Sequence, residues 1–183
     1  DSSIPRDDVG IRIHGAQMFF ALTSSVWGGG IAFLDPLAPT TSPGSRDETE
    51  PATTATPYAW GRAWLITTDQ FAQVVAQENG LDADQAQPID LTATVRHGTA
   101  QLGPGPYETL VHLGDIDNVP VVTFTSPFNL TSSGYGLPML NAPTSAYQAT
   151  IAAGLRETFA LTDQQVAAYL SRCPGHTDAR PAA

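Results

Sequence analysis

Lysine is absent from this chain. All eight basic residues are arginine, they stand against 18 Asp and Glu, and the formal net charge is −10. A surface so short of cations repels a phosphate backbone or an anionic bilayer, so neither nucleic acid nor membrane is an expected partner. Long apolar runs are missing too, and none approaches the ~18 residues that a transmembrane helix needs. No signal-like charged and apolar regions precede the first strand, and a cytoplasmic setting is the expectation. Cysteine occurs once, as Cys173, so no disulfide can form within the chain.

Several catalytic patterns are missing as well. His14, His97, His112 and His176 show neither HxH nor HExxH spacing and no cysteine pair accompanies them, so no metal or other cofactor is expected. No GxSxG nucleophile elbow is present. Cys173 and His176 lie in CPGHTDARPAA, which reads as a frayed tail at 173–183, where a third group could hardly orient a nucleophile pair.

What is present fits one domain over 1–183, long enough for a sizeable core. Val9–Ile13 and Ala16–Leu22 read as strands about a His14–Gly15 turn, and Ile31–Leu34 as a third. Between them stands VWGGG, whose Gly28, Gly29 and Gly30 suggest a bulge, a place where ligand meets backbone, or a plain loop. The stretch from Pro36 to Pro57 is rich in Pro, Thr and Ser with almost nothing to bury, and is expected to be a mobile, dispensable insertion. AWGRAWLIT at 59–67 alternates, with Trp60, Arg62, Trp64 and Ile66 on one face. A short helix near 91–97, a hairpin of Tyr107–Leu113 with Val121–Thr125, and helices at about 144–159 and 163–172 complete the chain. The fold class predicted is α+β, a small mixed or antiparallel barrel-like sheet with flanking helices.

The segment FAQVVAQENG, Phe71–Gly80, raises the chemical question. Thr67 and Gln70 form a capping box that opens a helix, and Gly80 closes it. Phe71, Val74, Val75 and Glu78 are spaced i, i+3, i+4, i+7, so a carboxylate shares a stripe with three apolar residues. Such a Glu either rotates into solvent at the helix end, or is paired, or faces a cavity as a general acid/base. Intramolecular acyl transfer is the chemistry that needs one carboxylate and no metal: a tethered amine attacks an amide carbonyl, and one base moves the proton. Tyr107 is the nearest candidate neighbour.

Four blocks carry a resemblance: WGGGIAF (27–33), WGRAWLITTDQFAQVVAQENG (60–80), GPYETLVHLGDIDNVPVVTFTSP (105–127) and NAPTSAYQATIAAGLRE (141–157). In content and order they resemble the γ-glutamylcyclotransferase-like family, in an actinobacterial branch, over most of the chain apart from insertion and tail. The resemblance implies that Glu78 is the general acid/base and that Tyr107 lines the pocket, with the Gly28–Gly30 backbone helping to shape it. It implies cyclisation of a γ-glutamyl or similar amide, releasing 5-oxoproline or a lactam and an amine. The family's YGSN loop, which holds the substrate's carboxyl end, does not occur in this sequence. A separate N-terminal segment completing the pocket is therefore an expected partner. The alternatives are a non-catalytic small-molecule binding module of the same fold and an amidohydrolase.

Overall fold

Alternation decides how the strands are used. In β1 (Asp8–His14) Ile11 and Ile13 are buried and Arg12 and His14 exposed, while in β4 (Tyr58–Trp64) Ala59 is buried and Arg62 and Trp64 exposed. The two pair antiparallel with Ile11 opposite Gly61 and Ile13 opposite Ala59. A Cβ on Gly61 would stand 3.2 Å from the Ile13 side chain, so the small residues of β4 make room for the isoleucines. The computed structural model describes residues 5, 7–36, 57–128, 130 and 139–177. The insertion expected at 36–57 lies outside the described residues apart from its end prolines, as does 178–183 of the expected tail.

β2 (Ala16–Ala21) pairs antiparallel with β3 (Ile31–Pro36) and is buried on both faces. Phe19 joins Ala21 and Phe33 on one side, and Phe20 joins Leu155, Val166 and Tyr169 on the other. Both rings are fully buried, each worth about 1.5–3 kcal/mol of apolar transfer. The third sheet is β5 (Thr99–Gln101), β6 (Thr109–Ile116) and β7 (Val119–Thr125), all antiparallel. Asp117 and Asn118 join β6 to β7 with positive φ at both positions, the backbone twist that two-residue hairpins favour.

The α+β class holds, with small antiparallel sheets and flanking helices, but the barrel-like sheet is corrected. Three separate sheets form, and among the described residues no closed barrel exists. β3 and β7 meet through a side chain: the Leu34 amide donates to Thr125 Oγ1 at 3.2 Å, and that hydroxyl donates to the Leu34 carbonyl at 2.6 Å. A hydroxyl set between two strands takes up the donor and acceptor that a further ladder would have joined.

α1 (Thr68–Glu78) carries the capping box read from Thr67 and Gln70. α2 (Thr92–His97) follows, then α3 (Ser145–Phe159) and α4 (Asp163–Leu170), capped by Thr144 and Thr162. α3 packs its Phe159 ring on Trp60, with centres 4.4 Å apart. Among the described residues no helix is long and apolar enough to cross a membrane. The frayed tail is corrected for its first part. Cys173 is buried, the Pro174 carbonyl accepts from the Phe20 amide at 2.8 Å, and His176 hydrogen-bonds Gln148 at 3.1 Å. Burial pushes the Cys173 thiol up to about 12, and it faces the Tyr169 carbonyl, so no Cys–His nucleophile pair forms there.

Candidate functional site

The buried stripe of α1 runs through Ala72, Val75 and Ala76 and continues to half-buried Asn79, again at i, i+3, i+4, i+7. The stripe expected at 71, 74, 75 and 78 is therefore rotated by one position. Val74 is 39% exposed, and Phe71 reaches the core from the flank, its ring 6.0 Å from Phe124. Glu78 is exposed at the edge of the packed face, not enclosed in a hollow.

The residue that turns inward is Asn79, which the sequence reading passed over. Its Nδ2 donates to the carbonyls of Val75 at 3.0 Å and Tyr107 at 3.2 Å, and its Oδ1 accepts from the Tyr107 amide at 3.2 Å. Both backbone groups of Tyr107 are thus held by one side chain. Gly105 is needed beside it, because a Cβ there would collide with Asn79 Oδ1. Tyr107 opens the segment as expected but sits in a turn two residues ahead of β6, not within the strand. Its ring packs between Phe33 and Phe124, with centres at 5.1 and 5.4 Å.

A second tyrosine joins it. Tyr147, in the first turn of α3, has its amide held by Thr144 Oγ1 at 3.3 Å, and its ring stacks on Trp27 at 5.3 Å. Burial, then the nearby Tyr147, then the charge of Glu78 raise the Tyr107 pKa above its ordinary value. Burial first and Glu78 after it also raise Tyr147, against a backbone hydrogen bond with Ala32. Glu78, at the end of α1, is thus near enough for its charge to be felt at Tyr107, in the turn ahead of β6, and at Tyr147 in α3. The signal for Tyr147 was present in NAPTSAY, a capped helix start carrying an aromatic three residues after its cap.

Of the three glycines, Gly28 is exposed with positive φ, and the other two pack against the chain. Gly29 and Gly30 are buried; a Cβ on Gly29 would lie 2.8 Å from the Ala142 carbonyl oxygen, and one on Gly30 would overlap Asn141. The Gly30 amide donates to Ala142 O and the Gly28 amide to Ser24 O, so neither is free for an oxyanion. What the close approach achieves is to lay Trp27 on Tyr147.

Asp35 was also missed. It shares a face of β3 with Phe33, is 1% exposed, and accepts from the Leu130 amide at 2.7 Å through Oδ2 while Oδ1 has no partner among the described residues. Burial raises its pKa above 3.8, and the Leu130 bond opposes that. The folded state thus favours the neutral acid, and this contribution to stability is lost as pH rises through the raised folded value. Asp35→Asn keeps an acceptor for Leu130 without the charge. The melting temperature of the variant relative to the parent is expected to rise from about pH 4 to about pH 7. A difference that stays flat across that range would show that Asp35 does not carry a raised pKa.

No family model matches the chain. The chain is similar to histone deacetylase 5 of Arabidopsis thaliana, with 30% identity over 181 residues, covering 94% of this chain and 25% of that protein. It thus spans about a quarter of the curated relative it matches. A human structure titled as an ensemble refinement of uncharacterized protein loc79017 superposes with a TM-score of 0.42 at 14% identity, covering 95% of this chain and 77% of that one.

Proposed function

We propose that the protein is a metal-independent cyclotransferase of the γ-glutamylcyclotransferase type, acting on a γ-glutamyl or similar amide. The observation that carries the reading is the proximity of Glu78 to two half-buried tyrosines whose hydroxyls its charge influences. The substrate's free α-amine attacks the γ-carbonyl carbon, the new C–N bond closes a five-membered lactam, and the old C–N bond breaks. Glu78 takes the proton of the attacking amine and returns it to the leaving amine. The tyrosines, raised above their ordinary pKa, stay protonated at neutral pH. Tyr107 and Tyr147 therefore donate to the developing oxyanion in place of the glycine amides. Tethering of amine and carbonyl in one substrate supplies much of the rate.

The plant relative's name suggests deacetylation. Metal-assisted amide hydrolysis needs several convergent ligands, and among the described residues no three His, Cys, Asp or Glu stand where they could hold an ion. The test is to incubate the intact protein with γ-glutamyl-alanine and follow products. Equal amounts of 5-oxoproline and alanine are expected. Free glutamate in place of 5-oxoproline would make it an amidohydrolase, and unchanged substrate across a panel of γ-glutamyl amides would leave a binding module.

A further inference from the structure

Asn79 belongs to two segments at once. Its backbone ends α1, where its amide donates to the Val75 carbonyl at 3.1 Å, and Glu78 is its neighbour in the same turn. Its side chain belongs to the chain ahead of β6. An amide side chain offers an acceptor oxygen and two N–H donors, and all are used here. Nδ2 bridges the carbonyls of Val75 and Tyr107, and Oδ1 takes the Tyr107 amide proton. Tyr107 needs such a partner because the sheet does not supply one. The β6 ladder opens at Thr109, which pairs with Gln101 and Thr125, and Tyr107 stands in the turn before it.

Phe33 and Phe124 pack against the Tyr107 ring, but apolar contact is non-directional and lets a ring slide. Hydrogen bonds with defined partners do not. The Asn79 amide is bonded back to α1 at Val75 and across to Tyr107, so it cannot rotate without breaking a bond at either end. The chemistry demands an amide. Aspartate would set a carboxylate against two carbonyl oxygens, and an apolar residue would leave all three backbone groups without this partner.

We propose that Asn79 is a positioning residue: it does not meet the substrate, and by clamping Tyr107 to the last turn of α1 it holds that hydroxyl in place beside the helix end that carries Glu78. The reaction served is that of the cyclotransferase reading, on which this role rests, whereas the clamp itself stands on the hydrogen bonds alone. An oxyanion donor moved out of line is missed in the transition state more than in the bound substrate. Loss of the clamp therefore lowers kcat and leaves KM nearly unchanged.

Turnover of γ-glutamyl-alanine by the intact protein, measured together with hydrogen exchange at the Tyr107 amide, is the test. Asn79→Ala is expected to lower kcat by roughly tenfold or more. It should also release the Tyr107 amide to rapid exchange while the ladder amides of β6 stay protected. Tyr107→Phe removes the hydroxyl that the clamp serves, so in that background Asn79→Ala should cost little more. Gly105→Ala reaches the clamp from the other side, because its new Cβ would collide with Asn79 Oδ1. It should lower kcat likewise, and lower it no further once residue 79 is alanine. Ile13→Val, in the core beneath β1, should lower the melting temperature with kcat unchanged. Parent-like kcat in Asn79→Ala, a rise in KM in place of the fall in kcat, or losses that add fully to those of Tyr107→Phe would each overturn the positioning role. Rapid exchange of the Tyr107 amide in the parent would overturn the clamp. No turnover by the parent would overturn the cyclotransferase reading and the role with it, while the exchange still reports the clamp.

Discussion

Glu78→Gln is expected to lower 5-oxoproline formation from a γ-glutamyl amide by about 10²-fold or more, the usual range for a lost general acid/base. The substitution is isosteric and Glu78 is exposed, so fold and substrate affinity should stay close to the parent's. A second readout does not rely on activity. Because the Glu78 charge contributes to the raised Tyr107 and Tyr147 pKa values, its removal should move the tyrosine absorbance titration toward lower pH. Burial, the larger cause for both, remains, so the two residues should still titrate above an ordinary tyrosine. A variant as fast as the parent removes Glu78 from the mechanism. A titration curve that does not move shows that Glu78 is not beside the tyrosines in solution.

Gly30→Ala is expected to be among the most damaging single methyls in the described fold. The added Cβ would overlap the Asn141 carbonyl, which is backbone and cannot swing aside as a side-chain end can. The loop must then lift off the residues ahead of α3, breaking the hydrogen bond from the Gly30 amide to Ala142 O and the Trp27–Tyr147 stack. Overpacking of this kind costs about 3 kcal/mol or more, which at this chain length lowers the melting temperature on the order of 10 °C. The aromatic near-ultraviolet dichroism should weaken with it. Gly154→Ala provides the opposite sign. That glycine lies inside α3 with nothing within 4 Å of a new Cβ, so alanine there should stabilise by about 0.5–1 kcal/mol. If Gly30→Ala melts with the parent, the close approach of the two loops is wrong.

Local signals were legible where they act over three or four residues. The capping box at Thr67, the Ala59/Gly61/Ala63 against Trp60/Arg62/Trp64 alternation, and the last two helices all stand as the sequence reads them. Periodicity failed on α1 by one position because Ala72 and Ala76 are small enough to fit the core, while the larger Val74 remains outside. An apolar pattern weights residue size and does not report the space available.

The sequence alone settled the acidic, lysine-free surface, the α+β class, and Glu78 as the carboxylate at the end of a capped helix, since each depends on composition or on neighbours along the chain. The tertiary structure decided what distant segments do to one another. Among the described residues it set three antiparallel sheets in place of a closed barrel, with the Thr125 hydroxyl bridging β3 and β7. It assigned Asn79 to hold Tyr107 across 28 positions, turned the glycine run into a packing surface for Trp27 and Tyr147, and drew Cys173 inward. It also set Arg12 and Arg172 on one tyrosine, although 160 positions separate them in the sequence. Contacts of this range arise only when burial of apolar surface offsets the entropy of closing long loops, and no short window of sequence contains that balance.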